Sequence, residues 1–240
     1  DELFGGYFIH HNFYVKSLKG TNEFKSGLCD FDKYIKPQLR NKNLADIESF
    51  CNANTKLIFS FEESEHIGHF FTKEVDLIDS LPDQLNANYF KKKLDEDLFY
   101  LTLPQHVVAS DQVSMFFSLE NRAPFLSREV YDIARSIPNN LLISKGYGKY
   151  ILRKSMQDIV PNSILWDTNK KGFNFEFSSK NITDFCKLFY GIDEMDFFKD
   201  FLDIDKVNGL INKENITNAE SKLLFRLANA KALLSSVNSL

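Results

Sequence analysis

The spacing of apolar residues predicts a chain that is mostly α-helical. Between Pro82 and Pro104, apolar side chains recur every three to four residues and charged side chains fill the other positions, which predicts one amphipathic helix ending near Pro104. The clearest helical repeat lies near the end of the chain, at Leu223, Leu224, Leu227, Ala230, Lys231 and Leu234. Only short pieces, such as residues 57–61 and 173–177, have the pattern of strands.

Capping residues and prolines predict the bounds of two helices in the middle of the chain. Ser110 or Asp111 is placed to cap the first, and Pro124 must end it. Ser127 is placed to cap the second, which Pro138 ends. The sequence therefore predicts two helices in close succession with a break at residues 124–127.

Glycine-containing loops precede two more predicted helices. Residues 1–7 read as a loop that runs into a helix, and His10 and His11 are expected to belong to that helix. Gly148 precedes another helix, which Pro161 stops. Glycine allows a backbone or a ligand to approach closely, so both loops are candidate parts of a site.

Size and charge narrow the class of protein. With 240 residues, of which 43% are hydrophobic, the chain can bury a sizeable core and suits one domain or a large part of one. Its formal net charge of −4 argues against a general nucleic-acid binder, which must neutralise phosphates. No apolar run approaches the roughly 20 residues that span a bilayer, and the first residues do not resemble a secretory signal. We expect a soluble, cytoplasmic protein that binds neither membrane nor nucleic acid.

The cysteines and the first residue add two further expectations. Cys29, Cys51 and Cys186 lie far apart, which argues against a zinc ribbon or a dense disulfide framework and favours a reducing compartment. Asp1 is not a native translation start, so we expect the chain to be part of a longer protein.

Four clusters combine charged residues with glycine or proline in a way that a plain helical core does not need. They lie at residues 1–7, 111–126, 146–153 and 169–173. Each is weak evidence for a functional site when it is considered alone.

Together these clusters resemble the motifs of asparagine synthetases, in the same order. Residues 1–7 read Asp-Glu-Leu-Phe-Gly-Gly-Tyr, which resembles the end of the family motif Ser-Gly-x-Gly-Ala-Asp-Glu-Leu-Phe-Gly-Gly-Tyr. Residues 111–126 contain runs similar to Asp-x-x-Ser-Met and Glu-x-Arg-x-Pro-Phe-Leu. Residues 149–153 resemble Lys-x-x-Leu-Arg, and residues 170–173 resemble Lys-x-Gly-Phe.

The resemblance implies both a fold and a reaction. The family fold is a doubly wound α/β domain of the PP-loop ATPase type (adenine nucleotide α-hydrolase-like), of which residues 1–240 would be a C-terminal, predominantly α-helical part. In that family ATP, with Mg²⁺, activates a carboxylate as an acyl-adenylate, and an amine then displaces AMP. The expected conversion is aspartate to asparagine with glutamine-derived ammonia. The same architecture also serves β-lactam and macrolactam formation, so these substrates stay open.

Three residues are expected to carry the chemistry. The resemblance places the family's Mg²⁺-binding aspartate at Asp1, and a carboxylate is a suitable ligand for this hard cation. It implies that Lys149 stabilises the charge that develops during adenylation or amide formation, and that Glu120 lies in the acceptor pocket. The alternatives are a capping acid at Asp1, a solvated lysine at 149 and a structural ion pair at Glu120.

Other positions are expected to bind substrate or to support the site. Asp111 is a candidate for substrate binding, although it could equally cap a helix. Lys171 is a candidate for contacting pyrophosphate, with Gly172 providing clearance for the backbone. Arg122 and Arg153 are expected to be structural. Because Glu120 and Arg122 are two residues apart, they would not face each other on a helix, so we expect each to have a separate partner.

Two further hypotheses remain beside the ligase. His66 and His69, with glutamates nearby, offer a rival zinc site, although Gly68 weakens a helix there and the HExxH order is missing. The Ser-Gly-Gly-x-Asp-Ser PP-loop and the cysteine of a glutaminase domain are absent from these 240 residues. The fragment is therefore expected to need the missing N-terminal portion as its partner, or else to act as a non-catalytic scaffold. The resemblance leaves a homodimer open.

Overall fold

The computed structural model describes residues 1–39, 42–52, 68–72, 88–169 and 177–237. These described residues are predominantly helical, as predicted, and contain no β-strand beyond two isolated bridges, Phe71 with Leu202 and Ser144 with Tyr147. The strand predicted at residues 57–61 lies outside them, as does the one at 173–177 apart from Phe177. The chain divides into two compact units: Asp1–Ile58 with Asp83–Lys170, and Phe59–Pro82 with Lys171–Leu240.

The described part of the first unit is built around its first helix. Ile9, Phe13 and Val15 are buried on that helix together with His10 and Asn12. A helix that is buried on several sides has no polar face, so its sequence lacks the amphipathic period. The helices of this unit are α1 (Phe8–Ser17), α2 (Phe24–Asp30), α3 (Lys42–Ala45), α4 (Ile47–Asn52), α5 (Tyr89–Phe99), α6 (Leu103–Phe116), α7 (Arg128–Ser136), α8 (Asn139–Leu142), α9 (Tyr150–Ser155) and α10 (Asn162–Leu165).

The predicted bounds of α6 are wrong. The helix does not begin at Ser110 or Asp111 but at Leu103, with Pro104 in its first turn, and it ends at Phe116. Proline suits a first turn because the N–H that it lacks would have no partner within the helix there. Asp111 therefore lies inside the helix and does not cap it.

Two other predictions differ in outcome. The hydroxyl of Ser127 accepts a hydrogen bond from the Val130 N–H at 3.4 Å and caps α7, as predicted. Helix α9, however, ends at Ser155 rather than near Pro161. Ile159, which lies beyond this end, is 74% exposed.

Lys91 on α5 closes the C-terminal end of α7. Its buried ammonium donates hydrogen bonds to the carbonyl oxygens of Ala134, Arg135 and Ile137 at 3.2, 3.3 and 2.8 Å. The last carbonyls of a helix have no partner within the helix, and a cation there also interacts favourably with the helix dipole.

We expect Lys91→Met to destabilise the protein by about 2–3 kcal/mol, because methionine keeps the buried stem but leaves three carbonyls without their donor. Urea unfolding measures the change. Lys25→Met is the control, since Lys25 is exposed on α2, and we expect it to shift stability by less than about 0.5 kcal/mol. A similar effect of both substitutions would contradict the assignment of Lys91 as a cap.

The described part of the second unit has a hydrophobic core that is rich in phenylalanine. Its helices are α11 (Asp196–Phe201), α12 (Ile204–Ile211) and α13 (Asn218–Val237). The predicted repeat in α13 is confirmed, since Leu223, Leu224 and Leu227 are all buried. They pack in one core with Phe70, Phe185, Phe189, Phe198, Leu202 and Val207. None of the helices in the described ranges is long and apolar enough to cross a membrane.

Candidate active site

The opening residues form a tight turn whose apolar side chains are buried. The Asp1 carbonyl accepts hydrogen bonds from the N–H groups of Phe4 at 3.3 Å and Gly6 at 3.0 Å. Gly5 has a φ of +70°, a conformation that glycine adopts at little cost. Leu3 and Phe4 are buried, so the turn is fixed to the core while the Asp1 side chain stays partly exposed.

A second tight turn precedes Lys149. Ser144 and Tyr147 exchange two backbone hydrogen bonds, of 3.1 and 2.8 Å, across Lys145 and Gly146. Both central residues have positive φ, +50° and +76°, as a two-residue turn of this kind requires. The chain therefore reverses direction just before Gly148 and Lys149.

The two turns touch through their backbones. The Lys149 N–H donates a 2.9 Å hydrogen bond to the Phe4 carbonyl. A Cβ atom at Gly148 would overlap the carbonyl oxygen of Gly5, so only glycine allows this approach. The contact places the Lys149 ammonium in an ion pair with the Asp1 carboxylate. Two motifs that are almost 150 residues apart in sequence thus meet at one point.

Lys149 is held in an unusual conformation. Its φ of +55° and ψ of +31° lie in the left-handed region, which is rare for residues other than glycine and common at functional sites. Burial and the nearby Arg153 guanidinium lower the pKa of Lys149, while Glu2 acts in the opposite direction. The ion pair with Asp1 also favours the charged ammonium. With 39% of its side chain exposed, Lys149 remains accessible to a ligand.

Arg153 supports the second turn from the other side. Its Nε donates to the Gly148 carbonyl at 3.0 Å, and its terminal nitrogen donates to the carbonyls of Leu165 and Asp167. The guanidinium has several fixed donors, so one side chain can join α9 to the segment after α10.

A buried polar network lies behind the first turn. The Tyr7 N–H donates to His10 Nδ1 at 3.3 Å, so the ring proton is on Nε2, which donates to Asp97 at 2.9 Å. Lys93 and Thr102 bind the other oxygen of Asp97 at 3.2 and 3.0 Å. The network ties α1 to α5. Sequence reasoning missed it because nothing in the sequence links His10 to a carboxylate 87 residues away.

The remaining expected site residues are not joined to Asp1 and Lys149 by any hydrogen bond or ion pair in the described ranges. Glu120 and Arg122 pair with each other and are mostly exposed, so the expectation of separate partners is wrong. The reason is that the chain after Phe117 is not helical, and in extended chain residues two apart can lie on the same side. Asp111 is exposed on α6, and Lys171 and Gly172 lie outside the described residues.

A metal site made only of side chains is not found in the part of the chain that the structure describes, where no three His, Cys, Asp or Glu residues cluster suitably. His69 lies in a short 3₁₀ turn, Gly68–Phe70, and its ring packs on Phe70, whereas His66 lies outside the described residues. Asp1 offers one partly exposed carboxylate. Mg²⁺ commonly uses one or two carboxylates and completes its coordination with water and substrate phosphates, so Asp1 fits that ion.

The two joined turns present a carboxylate and an ammonium at one partly exposed point. Comparison with known proteins identifies the family. The asparagine synthase family matches residues 1–233, so the chain belongs to this family. No solved structure is significantly similar to it.

Curated relatives are similar to parts of the chain. It is 29% identical over 194 residues to asparagine synthetase [glutamine-hydrolyzing] 1 of Bacillus subtilis, covering 73% of the chain and 29% of that protein. It is 38% identical over 69 residues to a putative asparagine synthetase [glutamine-hydrolyzing] of Mycobacterium tuberculosis, covering 29% of the chain and 11% of that protein. The chain thus spans less than a third of the length of these relatives.

Proposed function

We propose that residues 1–240 are the C-terminal part of an ATP-dependent amide-forming ligase domain with the PP-loop α/β fold. The observation that carries this proposal is the ion pair between Asp1 and Lys149, which joins two separate motifs of the asparagine synthase family at one accessible point. The relatives are named asparagine synthetases, which supports aspartate and glutamine-derived ammonia as the substrates. We place the protein in the cytoplasm, where these small molecules occur.

The reaction has two steps. An oxygen of the substrate carboxylate bonds to the α-phosphorus of ATP, the bond from that phosphorus to the bridging oxygen breaks, and pyrophosphate leaves. The nitrogen of ammonia then bonds to the activated carbonyl carbon, and AMP leaves with the electrons of the carbon–oxygen bond while the nitrogen loses a proton. Negative charge grows on the leaving groups in both steps, so fixed positive charge lowers the barriers.

The described residues suit these demands at two points. Lys149 places an ammonium beside the first turn, where it can bind a phosphate oxygen in place of the Asp1 carboxylate. Asp1 would hold Mg²⁺, which when bound neutralises charge on the pyrophosphate. We assign Glu120 to the acceptor pocket, Asp111, Lys171 and Gly172 to substrate binding, and Arg122 to support of the loop.

The site as described is one wall of an active centre. A PP-loop and a glutaminase domain are not within these 240 residues. We propose that both belong to the rest of the polypeptide, which would bind ATP and supply ammonia.

A direct test restores the residues that precede Asp1 and measures pyrophosphate release with ATP, Mg²⁺ and aspartate. Release that depends on aspartate, with asparagine formed when ammonia is added, is the expected result. Release with other carboxylates but not with aspartate would overturn the asparagine assignment and keep the ligase class. Release with no carboxylate tested would contradict the proposed function and favour a scaffold.

Gly6→Ala tests the geometry of the site. A Cβ at this position would overlap the Asp1 carboxylate and the Lys149 side chain, so we expect the ion pair to be forced apart. A displacement of about 1 Å in a catalytic group can slow a reaction about 100-fold, and we expect a loss of that order in pyrophosphate release by the longer protein.

Gly209→Ala is the control for this substitution. A Cβ at Gly209 on α12 meets no atom within 4 Å, so we expect unchanged release and a stability gain of about 0.5–1 kcal/mol. Full activity in Gly6→Ala would show that the two side chains need not stay together.

A further inference from the structure

A cavity of about 190 Å³ lies beside the turn that precedes Lys149. We call it the α1 cavity, because His11 and Tyr14 of α1 line it together with residues of α2 and with residues 144–146 of the turn. Neither Asp1 nor Lys149 contributes to its wall, so the α1 cavity is separate from the candidate active site. Pockets for drug-sized ligands have roughly 300–1,000 Å³, so this cavity suits a smaller molecule.

A buried histidine forms part of the wall. The side chain of His11 lines the cavity, although the residue is only 6% exposed, and its imidazole forms no hydrogen bond or salt bridge within the described ranges. Burial lowers the pKa of His11 to about 3, so the ring is neutral and has one nitrogen that donates and one that accepts a hydrogen bond. A buried polar group without a partner is unfavourable, which favours a bound molecule in the cavity.

The charges of the wall favour a cationic ligand. Glu23 and Asp30, at the two ends of α2, contribute two carboxylates, and Lys145 contributes one ammonium. Neither carboxylate forms a salt bridge with another residue that the structure describes. Burial raises the pKa of Tyr14, and Glu23 and Asp30 raise it further, so both carboxylates lie near its hydroxyl. The wall therefore carries an excess of negative charge around Tyr14.

An open groove of about 530 Å³ adjoins the α1 cavity, and Tyr14, Leu18 and Glu23 line both. Glu23 lies at this shared edge, where it can attract a cation from solvent, whereas His11 and Asp30 line only the inner cavity. Asp30 is half-buried and Glu23 is exposed. A charge pair is stronger where less water surrounds it, so Asp30 is the better partner for a bound cation.

The rest of the wall suits an apolar body, since Val15, Phe31 and Ile35 also line the cavity and are buried. A ligand that fits both parts carries one cationic group on a small apolar body. We propose that the α1 cavity binds a small primary amine with an apolar body, whose ammonium pairs with Asp30 and donates a hydrogen bond to the imidazole of His11. This site goes beyond the proposed function and does not depend on the proposed reaction.

Binding of 3-methylbutylamine to the longer protein tests the inference. The histidines are labelled with ¹³C, and the Hε1 signal of His11 is identified by its absence from the spectrum of His11→Gln. We expect this signal to move and to saturate with a Kd of about 0.1–10 mM, because so small a ligand makes few contacts. A His11 signal that does not respond to the amine would overturn the proposal.

Two related ligands define what the cavity selects. 3-Methylbutan-1-ol has the same shape without the charge, and we expect it to bind at least about tenfold more weakly. Equal binding of the alcohol would show that shape alone is selected and would overturn the proposal. Leucine adds a carboxylate that Lys145 could bind. Binding of leucine at least as tight as that of the amine would support an amino acid as the ligand, and weaker binding would support a simple amine.

Asp30→Asn tests the ion pair, because it removes the charge and keeps the size of the side chain. We expect the Kd for 3-methylbutylamine to rise at least about tenfold, the loss typical of a hydrogen bond to a charged group, and the Kd for the alcohol to stay the same. Glu48→Gln is the control, since Glu48 is exposed on α4 and does not line the cavity. Unchanged affinity for the amine in Asp30→Asn would overturn the assignment, whether or not the longer protein releases pyrophosphate.

Discussion

Replacing Lys149 with alanine in the longer protein is expected to slow pyrophosphate release by about 10²- to 10³-fold, the loss typical when one charge-stabilising donor is removed from an active site. Lys149 is placed by backbone contacts with the first turn, so its ammonium is positioned before substrate binds. A preorganised charge acts on the transition state without a cost of reorganisation. We therefore expect the loss to appear in kcat more than in KM for aspartate.

Two control variants separate this role from a structural one. Lys154→Ala removes an exposed lysine from α9, the helix that begins directly after Lys149, and should leave the rate within about twofold, since exposed surface substitutions have small effects. Lys149→Gly should lose activity as Lys149→Ala does, yet stability should stay level or rise by about 1 kcal/mol, because glycine relieves the left-handed conformation. An unchanged rate in Lys149→Ala would remove Lys149 from the proposed chemistry.

The elements that the sequence predicts well are those whose signals are local. Helix α13 has an uninterrupted apolar repeat, and Ser127 has the hydroxyl and position of a helix cap. Helix α1 is different, because its burial on several sides removes the polar face that a periodic pattern requires. The sequence predicts a helix end near Pro104, but Pro104 lies in the first turn of the next helix, and a proline is compatible with both positions.

In the candidate site, too, the sequence predicts the local features but not the tertiary contacts. Asp1 and Lys149 could be named from their motifs, but their contact depends on Gly148 and on two turns whose closeness is a tertiary property. The buried pair of His10 and Asp97 left no trace in the sequence, because neither residue lies in a motif. Glu120 and Arg122 were assigned separate partners on the assumption of a helix, and that assumption fails after Phe117.

The second large effect is a loss of stability at acidic pH. His10 and His11 lie side by side on α1, both almost fully buried. Burial lowers the pKa of His11 to about 3, with a smaller contribution from His10. Burial also lowers the pKa of His10, against the opposing effects of Asp97 and Glu2 and with a contribution from Lys93. The His11 imidazole is therefore neutral in the folded protein at pH 5, and the lowered pKa of His10 acts in the same direction.

In the unfolded chain, histidine has a pKa of about 6.5. Between that pH and the lower folded-state values, unfolding takes up protons, so the free energy of unfolding falls as the pH falls. The one proton that His11 takes up on unfolding near pH 5 corresponds to a slope of about 1.4 kcal/mol per pH unit, and His10 adds to it in the same direction. Well above pH 6.5 both states hold neutral imidazoles, and these two residues contribute no pH dependence.

Urea unfolding of the longer protein at several values between pH 7.5 and 4.5 measures this slope. Trp166 is the only tryptophan in the 240 residues and belongs to the first unit, so in a variant whose tryptophans outside these residues are replaced by phenylalanine its fluorescence reports on the unit that contains α1. His11→Gln should reduce the slope by about 1.4 kcal/mol per pH unit, the share of one proton. His106→Gln, at an exposed position on α6, should leave it unchanged. If His11→Gln gave the same slope as the original protein, the acid sensitivity would have to arise from other groups, and the burial of a neutral His11 would not be its cause.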